Sequence, residues 1–317
     1  MDKRKLGNST MEISRIGFGA WAIGGVWTYG WGPQDDAESI KTIHEALDRG
    51  VNWIDTAAAY GLGHSEEVVG KALQERSDKP FVFTKCGIVW DEKNTVSNTI
   101  EGTSIRREIE ASLKRLNVDV IDLYQIHWPK PDDKVEEGWT TLAKLRDEGK
   151  VRFIGVSNFS QEQLERAGRV APVTSLQPPY SLINREVENE ILPYCLENSI
   201  GVIVYSPMAS GLLSGKMTEQ RVQNLHHTDW RRNSPAFQPP RLARNLRLAS
   251  LLGEIGNTYG RTAGEVAIAW TLKNPAVTAA IVGMRRPDQV QGVIHAADVE
   301  LSDSDLRRIE DFVQTNP

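Results

Sequence analysis

What this chain has little of narrows its class before any motif is read. It carries only two cysteines, Cys86 and Cys195, in 317 residues. That is too few for a disulfide framework or a cysteine-bound metal, and it suits a reducing compartment. No stretch approaches the roughly 20 apolar residues that a membrane span needs. The opening segment, MDKRKLGNSTMEISRIGFG, is charged but has no apolar run and no cleavage site, so it does not read as a secretory signal. No Gly-x-Gly-x-x-Gly follows a strand-like run, so a Rossmann cofactor site is not indicated. Positive charge is not in excess either. With a formal net charge of −5, nothing draws the whole molecule to nucleic acid or an anionic membrane. His226, His227 and Asp229 read as an exposed loop rather than metal ligands. The expectation is a cytoplasmic protein without metal, nucleic-acid partner or membrane; a homo-oligomer is left open.

Linkers are also lacking. No low-complexity or Pro/Gly/Ser-rich segment divides the chain, so residues 1–317 are expected to form one domain. Short apolar runs alternate with amphipathic stretches instead, the pattern of a parallel sheet covered by helices. Strands are predicted at Ser14–Gly19, Val51–Asp55, Phe81–Thr84, Ile121–Gln125, Phe153–Val156, Thr174–Gln177, Gly201–Tyr205 and Ala279–Val282. Helices are predicted at Asp36–Arg49, Thr103–Leu116, Val135–Glu148, Ser160–Arg169, Val187–Asn198, Leu242–Tyr259 and Pro287–Ala296. Eight strand-helix units point to an α/β fold of the (β/α)8 TIM-barrel type, with an open doubly wound sheet as the alternative. The first residues, turning at Gly7-Asn8, predict a hairpin plugging one barrel end. Ser302–Val313 reads as an extra C-terminal helix. Three long connections, 20–35, 86–102 and 208–241, all follow strands, which puts them on the face where barrel active sites lie.

The polar residues at the strand tips carry the functional argument. In order they are Asp55, Lys85, His127, Ser157-Asn158, Gln177, Tyr205-Ser206 and Gly283. On a closed barrel these tips converge on one mouth. A polar strand tip alone is as readily a turn or cap group; the set is what points to a site. Tyr60 follows Asp55 by five residues in a turn of small residues. An ammonium within ~4–6 Å favours a phenolate and lowers its pKa, so Lys85 is expected to tune Tyr60 as a proton donor, with Asp55 holding Lys85. His127 is placed to polarise a substrate carbonyl. The plain alternative is a buried Asp55–Lys85 ion pair stitching two strands, with Tyr60 and His127 as packing residues. Arg285 and Arg286, with a helix start near Pro287, offer positive charge to an anion such as the 2′-phosphate of NADPH. Tryptophans in strand-to-helix connections, namely Trp21, Trp27, Trp31, Trp90, Trp128 and Trp230, suit an apolar cleft.

The chain resembles the aldo-keto reductases. GVNWIDTAAAYGLGHSEEVVGKAL, FTKCG, LYQIHWP, GVSNFS, TSLQPPYSL and VIVYSPMASGLLSGK match that family's segments in order, from about Lys5 to Leu301. The details are closest to a bacterial branch that includes inositol-operon and general-stress reductases. The resemblance implies a catalytic tetrad of Asp55, Tyr60, Lys85 and His127 that reduces a small carbonyl substrate with NADP(H). It places Trp21, Ser157, Asn158, Gln177, Tyr205, Ser206, Pro207, Gly211, Leu212, Gly283, Arg285 and Gln289 on the cofactor. The substrate pocket is expected to take Trp27, Trp31, Trp90, Trp128 and Trp230. Where the family has an asparagine on the adenine, this chain has Gly292-Val293. Two other functions are compatible with the same residues: a nicotinamide-sensing regulatory protein, and a polyol or sugar dehydrogenase working oxidatively.

Overall fold

The computed structural model describes residues 1–316. Strands β1 (Lys3–Lys5) and β2 (Glu12–Ser14) form an antiparallel hairpin. Leu6, Met11 and Ile13 of this segment are fully buried and pack with Trp53, Phe83, Leu123, Ile203 and Ala279. The hairpin thus closes the N-terminal end of the barrel with apolar side chains, as its Gly7 turn predicts.

The chain then runs through β3 (Ile16–Gly19), β4 (Trp53–Asp55) and β5 (Phe81–Cys86). A small antiparallel hairpin, β6 (Ile88–Trp90) with β7 (Val96–Asn98), interrupts the series. It continues with β8 (Ile121–Ile126), β9 (Val151–Ser157), β10 (Ser175–Gln177), β11 (Gly201–Tyr205) and β12 (Val277–Gly283). All eight non-hairpin strands pair in parallel, and β12 closes on β3. The fold is a closed (β/α)8 TIM barrel. Asp55, Lys85 and Gln177 therefore share one end although 122 residues separate the first from the last.

Helices α1 (Asp36–Asp48), α2 (His64–Gln74), α3 (Gly102–Leu116), α4 (Val135–Asp147), α5 (Gln161–Val170) and α6 (Ile191–Glu197) cover the first six units. After β11 come α7 (Glu219–Gln223), α8 (Arg241–Thr258) and α9 (Ala263–Lys273). Beyond β12 lie α10 (Pro287–Gln291) and α11 (Asp303–Thr315), the extra C-terminal helix. Starts are chemically marked: Ser160, Thr262 and Ser302 each form a capping box with the residue three on, each such cap being worth about 1 kcal/mol. One continuous core runs between the outward strand side chains and helices α1 to α6, including Ile54, Tyr124, Trp139 and Ile154.

Several expectations are corrected. The helix expected over Val187–Asn198 starts only at Ile191. Pro193 has no amide to give and is tolerated only in a first turn, so the helix begins two residues before it. The helix expected through Ala296 stops at Gln291, where Gly292 follows, and a 3-10 turn covers Ile294–Asp298. The connection 86–102 is not irregular throughout but holds the β6–β7 hairpin. Its turn is built on Asp91, whose carboxylate accepts from the Lys93 and Thr95 amides.

Candidate active site

The barrel carries Asp55 and Lys85 on adjacent strands, and His127 directly after β8. Tyr60 reaches the same mouth through a tight turn, its amide donating to Ala57 O at 3.1 Å. Gly61 makes that turn possible. Its φ is +62°, and a Cβ there would lie 1.9 Å from Gly24 O, so only glycine lets the segment after β3 press against the Tyr60 turn.

Lys85 is fully buried, and all three of its ammonium protons have a destination. Nζ lies 2.6 Å from Asp55 Oδ1, 2.8 Å from Thr56 O and 3.2 Å from Tyr60 Oη. Because an ammonium only donates, Tyr60 Oη accepts from Lys85 and its own proton is left for the cleft. The Tyr60 and His127 rings meet edge to face at 5.7 Å. Asp55 Oδ2 accepts from Gln177 Nε2 at 2.8 Å and Gln125 Nε2 at 3.4 Å. The ion pair is thus embedded in a satisfied polar cluster, the condition under which a buried pair is tolerated.

The electrostatics reverse one expectation. The Tyr60 phenol is not lowered: burial, with the Asp55 carboxylate adding to it, holds it well above its usual range. Burial also draws the Lys85 ammonium down, against the pull of Asp55. His127 is pushed well below the ordinary imidazole range by burial and by Lys85 nearby. Around neutrality the site therefore presents a protonated phenol and a neutral imidazole. The distance rule for a lysine beside a tyrosine omits this desolvation, which here is the largest influence.

A cavity of about 980 Å³ opens from these residues, at the upper end of small-molecule sites. Trp21, Trp27, Trp31, Trp128 and Trp230 line it. Trp31 packs under the Arg231 guanidinium at 4.0 Å, and Trp21 meets both Trp31 and Trp230. Trp90 is not brought to the cavity: it sits on the hairpin with Arg115 over its ring at 6.0 Å. Trp90 stands two residues beyond the lining Ile88, so strand alternation leaves both on one face; it is the Arg115 guanidinium over the ring that occupies Trp90 instead.

Of the residues the resemblance assigns to a cofactor, all but Leu212 line the cavity. Leu212 is fully buried in a small apolar cluster with Met217 and Phe237. Ser157 Oγ donates to Gln177 O, and Asn158 Nδ2 donates to His127 O. Asn158 Oδ1 accepts from Tyr205 Oη at 2.9 Å, so the tyrosine ring is tethered across the cleft. Ser206, Ala209, Ser210 and Gly211 are all left-handed, a local cost that clusters at ligand-binding loops. Arg285 is held by Gln34 Oε1 at 2.6 Å and Pro33 O at 2.6 Å. Gln289 Oε1 accepts from the Arg285 amide, closing the turn rather than pointing outward. Arg286 is exposed and paired with Asp288 at 3.1 Å.

Three lining or supporting residues carried no usable sequence signal. Gln125 is a polar residue inside an apolar strand, recognisable only once inward alternation is known. Lys216 and Arg221 lie in the long connection 208–241 and line the same cavity as Arg285 and Arg286. In a chain with net charge −5, Lys216, Arg221, Arg285 and Arg286 on the cavity lining form a donor set that fits the phosphates of a nicotinamide dinucleotide.

A closed parallel barrel with a tyrosine, a lysine and a histidine at its C-terminal mouth, beside a basic, aromatic-lined cleft, is the layout of a nicotinamide-linked oxidoreductase. The Aldo/keto reductase family model matches residues 15–314, and the chain belongs to that family. It is 40% identical to aldo-keto reductase YhdN of Bacillus subtilis, over 99% of this chain and 94% of that one. It is 35% identical to an NADH-specific methylglyoxal reductase of Escherichia coli, over 99% of both. Among solved structures, the glycerol dehydrogenase AKR11B4 of Gluconobacter oxydans superposes with a TM-score of 0.90 at 40% identity, covering 99% of this chain and 96% of that one. The holo form of aldo-keto reductase AKR11C1 of Bacillus halodurans gives 0.80 at 27% identity, covering 98% and 96%.

Proposed function

We propose that this enzyme reduces an aldehyde or ketone to an alcohol with NADPH, Tyr60 giving the proton. The observation that carries the reading is the position of the Tyr60 hydroxyl: 3.2 Å from a lysine that can only donate to it, at the floor of the one cleft where His127 also ends. A bound nicotinamide supplies the hydride. As charge builds on the substrate oxygen, the Tyr60 proton passes to it. The resulting phenolate faces Lys85 Nζ, whose existing hydrogen bond becomes charge-assisted. Asp55, itself held by Gln177, keeps Lys85 aimed. Neutral His127 donates to the carbonyl oxygen and orients it. Arg285, Arg286, Lys216 and Arg221 receive the phosphates, and the exposed Arg286 supplies the preference for NADPH.

Tyr60→Phe removes only the hydroxyl. Turnover of a reactive aldehyde is expected to fall by roughly 10²- to 10⁴-fold, while NADPH binding, followed by fluorescence, stays near wild type. Wild-type turnover in Tyr60→Phe would sink this assignment. The 40% identity to a glycerol dehydrogenase favours polyol oxidation as a second reading. That direction needs Tyr60 as phenolate, which burial disfavours, so oxidation should gain on reduction as pH rises.

A further inference from the structure

One wall of the cleft does not belong to the barrel. Ile88, Val96 and Asn98 of the β6–β7 hairpin line the cavity, yet among the described residues the hairpin pairs only with itself. Two residues of α3 hold it. At its base, the Glu108 carboxylate accepts from the Gly87 amide at 2.8 Å. Its other oxygen accepts from Ser104 Oγ at 3.0 Å, one turn earlier on the same helix. Higher up, the Arg115 guanidinium lies over the Trp90 ring at 6.0 Å, itself anchored by buried Glu66 at 2.7 Å. Gly87 is the hinge. It has φ +93°, follows the last residue of β5 and stands two residues from Lys85.

Resting on the reading that this cleft takes a carbonyl substrate, we infer that α3 clasps the hairpin as the substrate-side wall, with Glu108 as the positioning residue. Glu108 touches no reacting atom. It acts by fixing the Gly87 amide, which has no other acceptor, and so the tilt of the strand that carries Ile88. Without that carboxylate the amide is left buried and unpaired, and the hold of α3 on the hairpin is reduced to the Trp90–Arg115 contact.

The clasp is also built to respond to pH near neutrality. Facing Glu108 are Cys86 next to Lys85 on β5, Tyr124 on β8, Arg107 and Arg115 on α3, and through Arg115 the Glu66 of α2. Burial outweighs the Gly87, Ser104 and arginine contributions and pushes the Glu108 carboxyl up to about 7. The ionised carboxylate is the stronger acceptor, so the clasp tightens above that value. The sign for stability is opposite. A raised carboxyl favours the folded state in its protonated form, so that contribution is present below ~4.5 and lost as pH rises through about 7.

The test uses the full chain with NADPH and 4-nitrobenzaldehyde as the probe carbonyl, comparing wild type, Glu108→Ala and Glu108→Gln. Glu108→Ala is expected to raise KM roughly five- to tenfold with kcat within about twofold. It should also speed amide hydrogen exchange in 87–99. Glu108→Gln keeps a neutral acceptor, so KM should stay near wild type but lose its improvement between about pH 6 and 8. Unchanged KM and exchange in Glu108→Ala, a kcat loss at constant KM, or Glu108→Gln behaving like Glu108→Ala each overturns the clasp. If Glu108→Ala does not fold, the pH profile of Glu108→Gln decides it alone. If wild type does not oxidise NADPH with the probe, the proposed function fails instead, and the exchange rates still judge the clasp.

Discussion

Asp55 and Lys85 show why single residues in this site are costly to change. Both are buried, 2.6 Å apart, and each satisfies several partners at once. Asp55→Asn leaves the ammonium without its counter-charge, and breaking a buried pair from one side costs about 3–5 kcal/mol. Lys85→Met strands the carboxylate in the same way. The double substitution removes both charges and should lose clearly less than the two single losses added together. Urea unfolding of the three variants at neutral pH measures this, and strict additivity would show that the pair is not coupled. At this scale the sequence was legible in identity but not in electrostatics. Asp55, Lys85 and His127 stand out as polar tips on apolar strands, with Tyr60 in the turn that follows the first. That burial would raise the phenol and depress the imidazole depends on how far the loops cover the mouth, which no local pattern encodes. Gln125 was hidden for a similar reason, since a glutamine within a strand faces solvent as readily as a barrel interior.

Elements were read best where one face is apolar and the other is not. Helices α1, α3 and α5 have that contrast, and their predicted ranges lie within a few residues of those observed. Helix α9 does not: AGEVAIAWTLK is buried along most of its length, so it lacks the periodic stripe on which amphipathic reading relies. Helix α2 is likewise buried over most of its length. The local signal that survives in α9 is its start. Thr262 accepts from the Glu265 amide, and Glu265 reaches back to the Thr262 amide. Thr262 Oγ1 also donates to Gly292 O, tying α9 to the turn after α10. Thr262→Ala removes the cap and this tie together. It is expected to destabilise the fold by roughly 1–2 kcal/mol, read as a lower urea midpoint at unchanged slope, whereas Thr262→Ser should recover most of the loss. The β6–β7 hairpin escaped notice because VWDEKNTVSN has strands of three residues and a charged turn, below the length at which alternation is informative.

The whole molecule sets a contrast that no element shows by itself. A chain of net charge −5 brings Lys216, Arg221, Arg285 and Arg286 to the lining of its cavity. These residues come from connections that follow β11 and β12, which pair directly in parallel, so both connections open on the same face of the barrel. They do not have equal freedom. Arg285 is bound to Gln34 and to Pro33 O and braces the connection that carries Trp31, so Arg285→Ala should disturb binding of NADPH and NADH alike. Arg286 has only an exposed partner in Asp288, a pairing worth little in water, and it can turn to a phosphate with small loss. If Arg286 reads the 2′-phosphate, Arg286→Ala should raise KM for NADPH by roughly five- to twentyfold, the lower range for a charge-assisted bond at an exposed site. KM for NADH, which lacks that phosphate, should move less than about twofold. Added salt should weaken NADPH binding more in wild type than in Arg286→Ala, because screening acts on the charge the substitution removes. Initial rates with each cofactor, at low and at raised ionic strength, decide it. Equal loss for both cofactors would make Arg286 part of a general phosphate site and assign the discrimination to another cation of the lining.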